Sequence, residues 1–455
     1  MSRRALMVTL LLGACGGTGP TTPMPMVTPG WHVSGGFVRG PDHRAVILRG
    51  VNVSGDQKSA PYLDDKQLAD YQRISSDWGM NAIRFLFTWS AIEPTQGQYD
   101  DVWLDKVRER MDWAEASGLS VILDMHEDIY GEGFGFDGAP KWTCDASHYA
   151  AFTPRSPWFL SAIDPNVEAC VDHFYTDDAT RERFVAAWAH VATRLADKSA
   201  IIGFDTLNEP AWGSYPIGAF EQDRLMPLDA EVVAAVRAAA PGWIAFVEPS
   251  SSRNAGIPTG LTSPSYGDIV YAPHSYDANA EGGSGFDPAH RAAVISNIAR
   301  LQTEAQNLGA ALWIGEYGGD ASTPGIAEYM TAQYDGMGAV AASSMYWDDS
   351  RGGYGLLAAD GSEKPILVDT VVRPFPAKVA GDPVSWTYDA ATSTFQFTWK
   401  PDLSLTLPTE ISIPPRRYPK GYQVECGGCV SQMQMGKLVI TQPPTSNPAI
   451  VTIHP

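Results

Sequence analysis

Long apolar runs are scarce in this chain of 455 residues. Beyond the first dozen residues nothing is long and apolar enough to cross a bilayer as a helix. Basic charge is short as well: 32 Lys and Arg against 52 Asp and Glu leave a formal net charge of −20. That removes the basic footprint on which phosphate backbones are held and argues against a nucleic-acid partner. It fits an exported protein with a neutral or weakly charged substrate. Cysteine is rare, with five in all. Cys426-Gly427-Gly428-Cys429 has no second CxxC or nearby His pair beside it, so it reads as a structural loop and not as a zinc or redox element. Two further patterns are missing. Asp124, His126, Glu127 and Asp128 lack the HExxH spacing and alternate along a strand, so no metal is expected. Gly131-Glu132-Gly133-Phe134-Gly135 lacks the GxGxxG spacing and no helix follows closely, so no nucleotide cofactor is expected either.

What is present starts with Arg3 and Arg4 ahead of an apolar run from Ala5 to Leu12, the plan of a signal peptide over residues 1–14. Leu12-Gly13-Ala14-Cys15 resembles the bacterial lipobox, which implies a lipidated Cys15 followed by a flexible Gly/Thr/Pro-rich tether over 15–35. A plain signal peptide with an incidental Cys15 is the alternative. Either way the chain is expected to be exported, with peripheral or lipid-anchored membrane association and a monomeric state. Export also makes the four remaining cysteines candidates for two disulfides, Cys144–Cys170 across one long insertion and Cys426–Cys429 within a tight loop.

From residue 36 to 374 short β-branched runs alternate with amphipathic stretches. Strands are predicted at Ala45–Val53, Asn81–Phe87, Ser120–Met125, Ile201–Leu207, Trp243–Glu248, Asp268–Ala272, Ala311–Gly315 and Ala341–Trp347. Helical segments such as Lys66–Trp78, Trp103–Ala116, Arg181–Ala196, Asp229–Ala239, Pro288–Leu308 and Gly325–Tyr334 lie between them. Eight such units predict an α/β fold, a (β/α)8 barrel of the triosephosphate isomerase type, in preference to an open doubly wound sheet. From 375 to 455 helical periodicity is absent. Short runs at Val384–Tyr388, Thr394–Trp399, Thr409–Ile413, Tyr422–Glu425 and Lys437–Ile440 predict a C-terminal antiparallel β-sandwich. Its role is open between a passive stabilising domain and a surface for carbohydrate or membrane.

Polar residues sit at the C-terminal ends of the predicted barrel strands: Arg84, His126, Asn208-Glu209, His274-Ser275-Tyr276, Glu316 and Trp347. In such a barrel those ends converge on one mouth, where the active site lies. Any one of them is compatible with a satisfied structural group; a full ring is not. Glu209 in Leu207-Asn208-Glu209-Pro210 and Glu316 in Ile314-Gly315-Glu316-Tyr317 follow the fourth and seventh strands and so face each other. A pair of carboxyls about 5–5.5 Å apart is what a retaining glycosidase needs, one to attack the anomeric carbon and one to move the proton. Like-charge repulsion from an ionised Glu316 favours a protonated Glu209, and Arg84 and Tyr276 are suited to holding Glu316 ionised. Asn208 has the chemistry to hydrogen-bond a sugar 2-hydroxyl. The insertion from Tyr130 to Phe174 carries Phe134, Phe136, Trp142, Trp158 and Phe159. It is too long for a plain connector. It either walls the cleft, or floors it for lipid chains, or packs only on itself.

The set Arg84, His126, Asn208-Glu209-Pro210, His274-x-Tyr276, Glu316 and Trp347 is similar to glycoside hydrolase family 5 of clan A, over about residues 36 to 374. The resemblance implies Glu209 as acid/base, Glu316 as nucleophile, supporting roles for Arg84, His126, Asn208, His274 and Tyr276, and a sugar platform at Trp347. Asp124-Met125-His126-Glu127-Asp128-Ile129-Tyr130, Asn208-Glu209-Pro210-Ala211-Trp212-Gly213 and the trailing sandwich look most like the endoglycoceramidases within it. That likeness implies release of the glycan from ceramide in glycosphingolipids, with Lys58 and Asp128 on the first sugar's hydroxyls. Glu127 departs from the Gln that many members carry, which bears on sugar preference and not on the reaction. The rival expectations are an endo-β-1,4-glucanase, a β-mannanase or a glucosylceramidase on the same fold, and a glycan-binding lipoprotein without turnover.

Overall fold

The computed structural model describes residues 30–455. The signal peptide, Cys15 and most of the expected tether lie outside the described residues.

Eight parallel strands close into a barrel: β1 (Arg49–Val53), β2 (Ala82–Phe87), β3 (Ser120–Met125), β4 (Ile201–Asp205), β5 (Ile244–Val247), β6 (Ile269–Tyr271), β7 (Ala311–Gly318) and β8 (Ser343–Trp347). Each pairs with its neighbours in chain order, and β8 pairs with β1 to complete the ring. Parallel strands covered on both faces favour unbroken apolar runs; β2, Ala-Ile-Arg-Phe-Leu-Phe, is buried at every position. The single polar member of that run, Arg84, is therefore the informative one. Helices between the strands carry their own start signals. Asp100 caps Asp101–Ala116 by accepting from the Trp103 N–H at 2.8 Å, and Asp177 caps Asp178–Leu195 through the Thr180 N–H at 2.8 Å. Gly309, at φ 69°, ends Arg291–Leu308 in the left-handed conformation that glycine takes without a Cβ penalty.

The predicted strand Ala45–Val53 is two strands. Ala45–Val46 pairs with Lys378–Val379 in a second sheet, and only Arg49–Val53 joins the barrel. The second sheet has seven strands in the order His32–Ser34, Phe37–Arg39, Ala45–Val46, Phe375–Val379, Thr409–Ser412, Lys437–Gln442, Val430–Gln434. It faces a four-stranded antiparallel sheet of Gly381–Asp389, Thr394–Pro401, Ala449–His454 and Gln423–Glu425. Trp386, Phe395, Phe397, Trp399, Ile411, Leu438, Ile440, Val451 and Ile453 fill the space between the two sheets. The sandwich thus recruits the chain's beginning as well as its end, including residues 32–34 of the stretch read as tether. It also shares its core with Tyr334 and Ala341, which belong to the barrel's last long helix (Ile326–Val340) and the turn after it.

At the barrel's N-terminal end Val38 and Val46 pack on Ala82, Ile122, Ile202, Val270 and Ala311, with Trp31 and Val33 beside them. The Val33 N–H donates to Asp268 Oδ1 at 2.8 Å. This hairpin closes one end and leaves the other as the single mouth. Cys144 pairs with Cys170, and Cys426 with Cys429, both with Cα atoms 5.6 Å apart.

Candidate active site

Arg84 organises the mouth from beneath. Its guanidinium has no exposed surface and donates from Nε to Asp205 Oδ2 (3.0 Å) and from Nη1 to Asn52 Oδ1 (3.1 Å) and Glu316 Oε1 (2.8 Å). From Nη2 it donates to Asn208 Oδ1 and Glu248 Oε1, each at 2.9 Å, and Asp124 Oδ1 lies at 2.9 Å as well. A planar fork with five donors suits such a site, where a lysine would supply one point charge. Burial disfavours the cation, but Asp124, Asp205, Glu248 and Glu316 outweigh it and hold Arg84 well above its ordinary range.

The reacting carboxyls sit over this base. Glu316, 5% exposed at the end of β7, accepts from Arg84 on Oε1 and from the Tyr276 hydroxyl on Oε2 at 2.9 Å. Each oxygen therefore has a donor. Burial first, and then the charge of Glu316, push the Tyr276 hydroxyl well above its usual range, so it stays a donor. Glu209 Oε1 accepts from Asn254 Nδ2 at 2.6 Å and lies 2.7 Å from His274 Nδ1, which stands 3.5 Å from Glu316 Oε2. Burial disfavours a charged His274, yet Glu248 and Glu316 hold it well above its ordinary range, and its ring lies among three carboxyls. An oxygen of Glu209 and one of Glu316 come within 4.8 Å of each other. The two carboxyls therefore approach each other across the mouth, the arrangement that double displacement uses.

Glu209 reaches this position at a backbone cost. Its φ of 40° is left-handed for a residue with a Cβ, and its N–H is fixed by Glu248 Oε2 at 2.8 Å. Burial opposes ionised Glu248, but His274, Arg84 and that N–H prevail and hold it below the usual carboxylate range. Asn208 is spent partly inside the site: Oδ1 accepts from Arg84, and Nδ2 donates to the Glu127 carbonyl at 3.0 Å.

The opposite wall carries a second charged group. Asp124 Oδ2 holds His126 Nδ1 at 2.8 Å, and the His126 ring stacks on Trp347 with centroids 5.5 Å apart. Burial and Lys58 work against a charged His126, but Asp124 and Asp128 raise it to about 10. The Lys58 ammonium pairs with Asp128, lies 3.9 Å from Asp137 and sits 4.6 Å from the Trp347 ring centroid. Lys58 is thus built into the wall rather than left in solvent. Burial favours neutral Asp128, but Lys58 and His126 hold it well below its ordinary range; burial raises its partner Asp137 to about 7. Glu127 lies behind this wall, its Oε2 accepting from the Tyr130 N–H at 2.7 Å, and burial lifts it to about 8. Gly138 has to be glycine here, since a Cβ would lie 2.6 Å from that of Glu127 and its φ is 121°.

Every predicted site residue within the described chain converges on this mouth. Missing from the sequence reading are Asn52, Asp205, Glu248, Asn254 and Asp137. Glu248 ends the predicted strand Trp243–Glu248, the same strand-end position that marked the others, and so was legible. Asp137 arrives by a pairing of the insertion with Asp128, for which no local signal exists.

A family model described as cellulase (glycosyl hydrolase family 5) matches residues 41–352, and one described as the glycoside hydrolase family 5 C-terminal domain matches 373–454. The chain belongs to glycoside hydrolase family 5. Among family 5 relatives, endoglycoceramidase I of Rhodococcus hoagii is 28% identical over 96% of this chain and 89% of its own. A glucosylceramidase of Aspergillus fumigatus is 26% identical over 40% of this chain and 32% of its own. The solved endo-glycoceramidase II from Rhodococcus sp. superposes with a TM-score of 0.83 at 31% identity, covering 92% of this chain and 99% of that one. The same enzyme has been solved with ganglioside GM3 and as a lactosyl-enzyme intermediate, matching at 30% and 31% identity.

Proposed function

We propose that this family 5 hydrolase is an endoglycoceramidase that cleaves the β-linkage between glycan and ceramide with net retention. In the first step Glu316 attacks the anomeric carbon while Glu209 gives its proton to the ceramide oxygen. In the second, Glu209 takes a proton from water, which displaces Glu316 from the sugar. Arg84 and Tyr276 hold the Glu316 carboxyl aimed, and Lys58, Asp128 and Trp347 face the sugar. Asn208 is held by Arg84 and Glu127 with one amide hydrogen left for the 2-hydroxyl. One observation carries the reading: two carboxyls that bring one oxygen each within 4.8 Å, one held by Arg84 and Tyr276 and the other by His274 and Asn254.

The test is a side-by-side assay of a ganglioside, a neutral glycosphingolipid and a soluble β-glucan. Free ceramide and intact glycan from the glycolipids are expected. Cleavage of the glucan alone would give the protein to the endoglucanases or mannanases, removal of a single glucose alone to the glucosylceramidases, and no turnover at all to the non-catalytic binders.

The protein is further proposed to be an exported monomer, tethered through an acylated Cys15. Replacing Cys15 by Ser is expected to abolish incorporation of labelled palmitate into the protein. Label retained in that variant would count against the tether.

A further inference from the structure

A carboxyl that moves a proton uses one of its two oxygens, and the structure treats those of Glu209 differently. Both side-chain hydrogen bonds made by this carboxyl among the described residues fall on Oε1, from Asn254 Nδ2 at 2.6 Å and with His274 Nδ1 at 2.7 Å. A carboxylate oxygen offers about two acceptor positions. An amide nitrogen can only donate. Burial opposes a proton on His274, but Glu248 and Glu316 hold it well above its ordinary range, which keeps Nδ1 a donor. The two donors together fill Oε1 and leave Oε2 for the proton.

Asn254 reaches Glu209 from a loop that grips the same stretch of chain twice more. Glu248, just beyond β5, takes the Glu209 N–H on Oε2 at 2.8 Å. Three residues later the Ser251 N–H donates to the Pro210 carbonyl at 3.1 Å. The loop is itself anchored. Ser251–Arg253 is a 3-10 turn capped by the Ser250 hydroxyl, and the Asn254 N–H closes it onto the Ser251 carbonyl at 3.0 Å. The Ser250 N–H donates to Glu221 Oε1 at 2.8 Å, and buried Arg253 donates from Nε to Glu304 Oε2 at 3.0 Å. Asn254 is exposed, and the one side-chain hydrogen bond it makes among the described residues is the one to Glu209. An exposed amide on so firm a base is placed for the carboxyl it meets and not for packing.

We propose that Asn254 is a positioning residue for the acid/base: with His274 it occupies Oε1 of Glu209 and so assigns the transferred proton to Oε2. The inference rests on the roles given to Glu209 and Glu316 above. In the first step the bond from the anomeric carbon to the leaving oxygen breaks, its electron pair goes to that oxygen, and the proton on Oε2 follows while Glu316 bonds to the carbon. The charge left on Glu209 meets two donors already in place, so no reorganisation is needed at that moment. In the second step water gives a proton to Oε2, and its oxygen replaces Glu316 at the carbon. Without Asn254 the carboxyl can turn about its Cγ–Cδ bond and carry its proton on either oxygen.

The signature lies in the leaving group. A dinitrophenolate departs unaided, whereas an unsubstituted phenol needs the acid, so a misplaced acid slows the second and spares the first. The experiment compares the full chain with Asn254→Ala, Asn254→Asp and Glu209→Ala on dinitrophenyl and phenyl β-lactosides, reading kcat/KM beside thermal melts. Asn254→Ala is expected to lose about tenfold or more on the phenyl glycoside and to stay within about twofold of the parent on the dinitrophenyl one. Asn254→Asp keeps the shape but sets an acceptor against Oε1, and should lose at least as much on the phenyl glycoside. Equal losses on both substrates, or none on either, would overturn the role of Asn254. If Glu209→Ala shows no such split, the acid/base assignment fails and the positioning role falls with it. A split in Glu209→Ala without one in Asn254→Ala leaves that assignment intact and removes only the role of Asn254.

Discussion

At the residue scale the site works by assigning opposite fates to chemically identical groups. Glu316 is held by Arg84 and Tyr276, and Glu209 is bridged to it by His274, so environment and not residue type sets the two roles. Replacing Glu316 by Ala is expected to abolish turnover without loss of fold, because no other group is placed to form the glycosyl ester. The check is the rate beside an unchanged circular dichroism spectrum. Replacing Glu209 by Ala should leave slow turnover of substrates with good leaving groups, accelerated by azide to a β-glycosyl azide; an α-azide would mean that the roles are wrong. Arg84→Met leaves Asp124, Asp205, Glu248 and Glu316 without their shared cation, and removing one partner of a buried pair costs about 3–5 kcal/mol. Urea denaturation should show that loss. Glu127 gives a pH signature. Burial lifts its carboxyl to about 8, against an unfolded value of about 4.3. A raised acid contributes stability at low pH and loses it as pH climbs towards its folded value. Thermal melts of the parent should therefore fall relative to Glu127→Gln between about pH 4.3 and 8; parallel melting curves would contradict this.

At the element scale, what the sequence discloses follows from how local its cause is. All eight barrel strands are legible because a strand buried on both faces must be apolar, and Arg84, His126 and Glu316 are visible as interruptions or ends of such runs. The sandwich is legible only in part. Gly381–Asp389 alternates buried and exposed residues and is easily read. Phe375–Val379 contains a proline, and Val430–Gln434 is exposed throughout, so neither carries a period. His32–Ser34 and Phe37–Arg39 are three residues each, and the sheet they join forms only when the far end of the chain arrives. The site divides in the same way: Glu209 and Glu316 announce themselves by motif, while Asp137 is delivered by a fold-back of the insertion. That insertion makes its own prediction. Breaking the Cys144–Cys170 pair with a double Ser variant frees a loop of intermediate length, and such bridges are worth about 2–4 kcal/mol. Limited proteolysis should then cut first between residues 144 and 170, and cleavage elsewhere would show that packing alone holds the segment.

At the scale of the whole molecule, barrel and sandwich are one structure interleaved from both chain ends. Tyr334, Ala341, Trp386 and Tyr388 lie in a single core, and the Tyr334 hydroxyl donates to the Pro374 carbonyl at 2.6 Å. Truncation after residue 373 would bare that core and leave Ala45–Val46, and the two short strands beyond it, without the rest of their sheet. It should give an aggregating protein and not an active barrel, as size-exclusion chromatography would show.

The closing hairpin has a directional consequence. It puts the first described residues at the pole opposite the reaction, so a tag or support joined ahead of residue 30 meets the molecule on the side away from its opening and leaves substrate entry free.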